Sequence, residues 1–177
     1  IALFSATQET EYDEFSKQII WLVVSLIAMV VVMFIDYNLL LKASPVLYGL
    51  TIVLLIAVLF TKPINGATSW FNIGAFSLQP GEFAKVVVIL FLTYVITKIQ
   101  RKGQEEINRP TRLLIVLSAL AVPVLLIVKQ PDYGTALAFI VAMALMLFTS
   151  GLDKKYIIGT ILLIVIAVPL LYNFVLP

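Results

Sequence analysis

Five strongly apolar stretches of this chain carry no charged side chain for at least 16 residues, and their recurrence limits the fold more than any other feature. They run from Gln18 to Ile35, Ala43 to Thr61, Leu113 to Val128, Tyr133 to Leu152 and Tyr156 to Pro177, with 18, 19, 16, 20 and 22 residues. As helices, each can cross a hydrocarbon core about 30 Å thick, with tilt or local thinning for the shortest. A sixth apolar stretch, Pro80 to Ile99, carries Glu82 and Lys85 near its start. Hydrophobic residues make up 62% of the chain and charged residues 12%, well outside the range of an average soluble domain. The expected fold is an all-α polytopic transmembrane helix bundle with about six full spans and a partial first one.

Residues 1–177 are expected to form a single membrane domain, with spans near 1–6 (partial), 18–35, 43–61, 80–99, 113–128, 133–151 and 156–177. The opening Ile1-Ala2-Leu3-Phe4-Ser5 has no initiating Met and reads as the last turn of a helix, so the sequence is read as part of a larger polytopic protein. No basic start precedes an apolar stretch in the manner of a cleavable signal peptide.

Lys and Arg in the connections give an orientation. Lys42, Lys98, Arg101, Lys102, Arg109, Arg112, Lys154 and Lys155 fall on one side; Lys17, Lys62 and Lys129 fall on the other. Eight against three places the first group in the cytoplasm by the positive-inside rule. The acidic loop Glu9, Glu11, Asp13, Glu14 then faces outward. The basic segment Lys98 to Arg112 reads as a solvated loop attracted to anionic headgroups. With no Cys and no His, thiol nucleophiles, disulfides, imidazole bases and the usual zinc ligands are excluded.

This topology gathers the polar oddities on the outer side: the loop Lys62 to Gln79, the mouth of the helix bearing Glu82 and Lys85, and the short connection Lys129-Gln130-Pro131-Asp132. An ionised side chain at the bilayer centre costs about 2.5–3.5 kcal/mol on insertion scales, so Glu82 and Lys85 need a partner, a watery cavity or a function. Pro80 suits the first helical turn, which puts Lys85 roughly 7–8 Å below the mouth and makes Glu82 and Lys85 i,i+3 neighbours. Plainer readings stand beside the functional one. Glu82 would favour a helix N-terminus by its charge, and Asp132 would serve as an N-cap. Lys85 would snorkel to the headgroups. Trp70 would anchor at the interface, as would Tyr48, Tyr133 and Trp21. Gly66 and Gly74 turn the loop; Gly134 and Thr135 are small enough for close helix packing or for a neighbouring group to approach. Pro123 is expected to kink its helix, with neighbours satisfying the freed carbonyl.

Three linked motifs carry a resemblance: Asn65-Gly66-Ala67-Thr68-Ser69-Trp70-Phe71-Asn72-Ile73-Gly74, Gln79-Pro80-Gly81-Glu82-Phe83-Ala84-Lys85, and Lys129-Gln130-Pro131-Asp132-Tyr133-Gly134-Thr135-Ala136. In this order they resemble the SEDS family of shape, elongation, division and sporulation proteins, nearer its RodA branch than its FtsW branch. The resemblance implies a peptidoglycan glycosyltransferase of the bacterial plasma membrane that polymerises lipid II on the outer face. It implies a class B penicillin-binding protein transpeptidase and membrane lipids as partners, and no nucleic acid. It implies Trp70, Gln79, Glu82, Lys85, Gln130, Asp132 and Thr135 as substrate-binding or site-shaping residues, with Pro80, Pro131 and Gly134 structural. For that reaction Lys85 would either supply positive charge to the departing diphosphate or hold Glu82 and Asp132 in one ion network. The family's catalytic carboxylate is expected beyond Pro177. No cofactor is evident, although the resemblance allows a divalent cation, Mg or Mn, and no metal ligand is assigned. Two positions depart from the family pattern: Ser69, usually Arg, and Gly81, usually Ser.

Two rival functions follow from the same residues. Intramembrane ionisable groups also mark transport paths, which gives a lipid-linked precursor flippase or transporter. A non-catalytic scaffold for a transpeptidase is the other.

Overall fold

The computed structural model of the chain describes residues 12–63, 67–73, 76–156 and 158–159. Among them are five long helices: α1 (Tyr12–Met33), α2 (Tyr37–Val58), α3 (Pro80–Gln100), α4 (Pro110–Val128) and α5 (Tyr133–Thr149). They overlap the runs 18–35, 43–61, 80–99, 113–128 and 133–151. The stretch 1–6, Gly66, Gly74 and nearly all of the run 156–177 lie outside the described residues. A short 3-10 helix, Gln104–Asn108, joins α3 to α4. Glu9 and Glu11 also fall outside; Asp13 and Glu14, expected in a loop, lie in the first turn of α1.

The chain divides into two units, residues 1–40 and 41–177. The first contains α1, whose side chains from Gln18 to Met33 are all exposed, among them Trp21, Leu22, Ile27 and Met33.

In the second unit α3, α4 and α5 pack against one another. The buried positions follow helical periodicity: Ala84, Val88, Leu92, Ile96 and Ile99 on α3, then Leu113, Val116, Leu120, Pro123 and Ile127 on α4. Phe139 and Leu147 of α5 and Leu55 of α2 complete this core. The opposite faces are apolar too, with Phe83, Val86, Leu114, Leu125, Leu137 and Phe148 exposed. A helix apolar all round is a membrane helix or one buried in a large core, and these outward faces are not buried. α2 and α4 are each long and apolar enough to cross a membrane. The structure is an all-α polytopic transmembrane bundle, and the chain is a membrane protein.

Two prolines interrupt the helices without leaving their acceptors bare. Pro45 has no N–H for the Leu41 carbonyl four residues back, and the Ser44 hydroxyl donates to that oxygen at 2.7 Å. Pro123 leaves the Ala119 carbonyl in the same state, and the Tyr48 hydroxyl of α2 donates to it at 2.8 Å. Tyr48 also stacks on Phe91 of α3 with ring centroids 4.2 Å apart. It is therefore a packing residue between helices, which corrects its reading as an interfacial anchor.

The loop 62–79 contains an antiparallel hairpin of β1 (Phe71–Ile73) and β2 (Phe76–Leu78), with Phe71 opposite Leu78 and Asn72 opposite Ser77. The Ser77 hydroxyl donates to Asn72 Oδ1 at 2.9 Å across the ladder. The hairpin leads directly into α3.

Candidate functional site

The start of α3 and the start of α5 meet at one end of the bundle, joined through Asp132. Asp132 is the N-cap of α5: its Oδ1 accepts the Thr135 backbone N–H at 3.1 Å. Its Oδ2 accepts the Gln79 side-chain N–H at 2.7 Å. Gln79 is the N-cap residue of α3 with an extended backbone, and its side chain does not cap its own helix, so it can cross to Asp132. Pro80 opens α3 where a missing N–H costs nothing. One carboxylate thus fixes two helix N-termini side by side. Each N-terminus carries the equivalent of roughly half a positive charge, which the Asp132 carboxylate at α5 and Glu82 in the first turn of α3 already meet in part.

Gln130 is fully buried, and its Nε2 donates to the Leu55 carbonyl at 3.2 Å. At the end of α2 the Leu59 N–H turns to the Ile56 carbonyl, so the Leu55 carbonyl needs a donor from elsewhere. Gln130 supplies it across 75 residues of sequence. The Gln130 carbonyl accepts from the buried Ser69 hydroxyl at 3.4 Å, which ties the loop 62–79 to the α4–α5 connection. Trp70 follows at once and is 36% exposed, held at the mouth without being buried in it. In the sequence Ser69 stands out only as a departure from a family pattern; a buried serine in a loop has no sequence signature, and its role becomes visible through its burial and its partner.

Gly81 fits the same convergence. A Cβ placed there would meet the Thr135 methyl at 3.3 Å, closer than most real Cβ contacts. The close approach of α3 and α5 is made at Gly81, with Thr135 on the other side. Gly134 is exposed, and a Cβ there would meet nothing within 4 Å among the described residues, so of its two readings close packing does not hold and room for a neighbouring group remains. Pro131 is exposed in the turn, whereas Pro80 is buried against the bundle.

One turn into α3, Lys85 Nζ lies 2.8 Å from Glu82 Oε1. The Lys85 and Glu82 side chains are 33% and 57% exposed, and so accessible pairs contribute about 0–1 kcal/mol to stability. Their value lies in what the open side can receive. Lys85 also borders a narrow apolar slot between α3, α4 and α5, lined by Val88, Leu92, Leu120, Phe139 and Met143. The expectation that Lys85 would hold Glu82 and Asp132 in one ion network is corrected: Lys85 pairs with Glu82, and Asp132 is held by Gln79 and Thr135.

A larger cavity of about 710 Å³ lies at the other end, bordered by Glu105, Glu106, Asn108, Arg109, Gly151 and Asp153. Its polar groups are largely engaged with one another. Arg109 pairs with Glu106 at 2.9 Å, and Asn108 accepts the Asp153 N–H at 2.7 Å. It is a connection between helix ends rather than a rival for the convergent mouth. Among the described residues no three Asp, Glu, His or Cys side chains gather to hold a metal ion. The mouth residues do not by themselves make a divalent-cation site.

Across residues 1–176 the sequence matches the FtsW, RodA and SpoVE family of cell cycle proteins. The chain belongs to this family. Among its relatives, the peptidoglycan glycosyltransferase RodA of Treponema pallidum is 29% identical over 86% of this chain and 34% of its own length. A probable peptidoglycan glycosyltransferase FtsW of Geobacter metallireducens is 32% identical over 90% of this chain and 42% of its own length. In solved structures, a chain of a peptidoglycan synthase complex that coordinates polymerization and crosslinking superposes with a TM-score of 0.79 at 26% identity, over 92% of this chain and 47% of that one. The rod shape determining protein RodA of Thermus thermophilus follows with a TM-score of 0.73 at 26% identity, over 89% and 52%. The chain thus spans about a third to a half of the proteins it matches. RodA and FtsW relatives stand side by side, so the comparisons do not separate the two branches.

Proposed function

We propose that this chain builds the anion-binding mouth of a peptidoglycan glycosyltransferase, a site that holds the diphosphate of lipid II while glycan strands are polymerised at the outer face of the bacterial plasma membrane. The observation that carries the reading is the Gln79–Asp132 hydrogen bond, which sets the N-termini of α3 and α5 together above the accessible Glu82–Lys85 pair. In such a reaction a sugar hydroxyl attacks the anomeric carbon of a second lipid-linked sugar. A C–O bond forms there, the bond to the diphosphate breaks, and the lipid diphosphate leaves with its charge while the hydroxyl proton passes to a base. The paired N-termini and Lys85 supply positive potential where the leaving charge develops. Both carboxylates at this mouth are engaged, Glu82 with Lys85 and Asp132 with Gln79 and Thr135, and neither is proposed as the base, a role that the family resemblance implies for a carboxylate beyond Pro177.

A class B penicillin-binding protein is the proposed crosslinking partner, supported by the likeness to a chain of a polymerization and crosslinking complex. A transport path is disfavoured because the Gln79, Lys85 and Asp132 cluster opens at one end of the bundle, over an apolar interior of Val88, Leu92 and Leu120. Full-length protein in detergent with lipid II and Mg²⁺ should make glycan strands, and Lys85→Ala should slow polymerisation by on the order of a hundredfold, as loss of an electrostatic stabiliser does. Unchanged activity in Lys85→Ala, Glu82→Ala and Asp132→Ala alike would show that the mouth is not the site. Lipid II translocation across liposomes without polymerisation would favour the flippase.

A further inference from the structure

At the end of the bundle away from Asp132, a groove of about 540 Å³ opens between α2, α3 and α4. Its walls are apolar: Pro45 of α2, Phe91, Val95 and Ile99 of α3, and Ile115 of α4. Its mouth is cationic, with Lys98, Lys102 and Arg112 on the rim. Among the described residues no carboxylate lines it. Glu106, the neighbouring acid, is taken by Arg109 at 2.9 Å and reaches the Arg112 Nε only at 3.9 Å, which leaves most of that guanidinium for another anion. Lys98 lies over the Tyr94 ring at 5.5 Å, so its ammonium is drawn to the groove wall rather than away into water. Arg112 stands in the first turn of α4, where the helix dipole adds positive potential.

We propose that this groove binds one anionic phospholipid, with the phosphate held by Lys98, Lys102 and Arg112 and an acyl chain along Phe91, Val95 and Ile99. The pairing of features selects the occupant. A free phosphate uses the rim and gains nothing from the apolar walls, and a zwitterionic lipid fills the walls while its own cation opposes the rim. The volume lies within the roughly 300–1,000 Å³ usual for small-ligand sites, and basic pockets between membrane helices are the usual seat of anionic headgroups. The site is separate from the glycan-forming mouth and stands whether or not that reading holds. It differs from general attraction of a basic loop to a charged surface because it requires both the groove and three particular cations.

The test is native mass spectrometry of the full-length protein released from micelles containing equal phosphatidylglycerol and phosphatidylcholine. Each cation near an anionic headgroup is worth about five-fold in binding, so the wild type should retain phosphatidylglycerol over phosphatidylcholine by about ten-fold or more. Lys98→Gln with Lys102→Gln, both exposed, should cut that preference to about five-fold or less, what Arg112 alone sustains. Ile115→Trp, at a position 46% exposed, should crowd the groove and reduce retention while every charge stays in place. Arg101→Gln with Lys154→Gln, basic residues of the same end that do not line the groove, should leave retention unchanged. Equal retention of the two lipids would overturn the proposal. So would an equal loss in the Arg101 and Lys154 pair, which would mean a diffuse charged surface. Full retention in Ile115→Trp, or displacement of the lipid by inorganic phosphate, would mean an anion site without a lipid groove.

Discussion

Asp132 holds two partners with its two oxygens, and that division decides what each substitution there does. Asp132→Ala removes the N-cap of α5 and the partner of Gln79 together, and each loss costs about 1 kcal/mol or more, so the full-length protein should unfold several degrees lower in detergent. Asp132→Asn keeps an acceptor for the Thr135 N–H and, with the Gln79 amide turned over, keeps the cross-helix bond. It should therefore melt close to the wild type while polymerising poorly if the charge matters to the site. Equal melting of Asp132→Ala and wild type in thermal unfolding would sink the cross-helix role. The cap is readable in the sequence, because an Asp after a tight reversal and before an apolar run is a recognised helix start. Its bond to Gln79 is not, since 53 residues separate the two and no periodicity links them. Ser69 and Gln130 are hidden in the same way: a buried polar side chain is known by its partner, and the partner here is a backbone carbonyl.

Helices are the legible elements, since runs of 16 or more uncharged residues leave little choice in lipid, and Pro80 and Pro110 mark two of their starts. The hairpin at 71–78 is not legible, because strands of three residues are too short to show an alternating pattern. The interruption at Pro123 is legible but its remedy is not: the Tyr48 hydroxyl comes from another helix, 71 residues away in sequence from the Ala119 carbonyl it serves. A double-mutant cycle isolates that bond. Tyr48→Phe keeps the stacking on Phe91 and removes only the hydroxyl, which should cost about 1–2 kcal/mol, as bonds between membrane helices do at most. In a Pro123→Ala background the backbone N–H regained at position 123 serves the Ala119 carbonyl, so the further cost of Tyr48→Phe should fall towards zero. An equal cost in both backgrounds, measured by unfolding in mixed micelles, would show that the hydroxyl does not stand in for the proline's missing donor.

For the whole molecule, the two ends of the bundle differ in charge as well as in structure. Lys98, Arg101, Lys102, Arg109, Arg112 and Lys154 surround the ends of α3 and α4, while Gln79, Asp132 and the hairpin occupy the other end with far fewer cations among the described residues. The positive-inside rule counts loops along the sequence, and in the bundle those loops fall at one end because α3 and α5 run parallel with α4 antiparallel between them. Two contacts establish that packing: Gln79 reaches Asp132 at one pair of ends, and Gln100 reaches the Ser150 carbonyl at 2.6 Å at the other. The proposed use of a lipid-linked sugar at the outer face depends on this orientation. Because the chain has no Cys, single cysteines report it without background from this segment. Ser77→Cys, exposed in the hairpin, should react with a membrane-impermeant maleimide on intact cells. Gln104→Cys, exposed in the 3-10 helix, should react only after permeabilisation. The reverse pattern would place the Asp132 mouth in the cytoplasm, where the shared geometry of α3 and α5 would have to serve a precursor before its export.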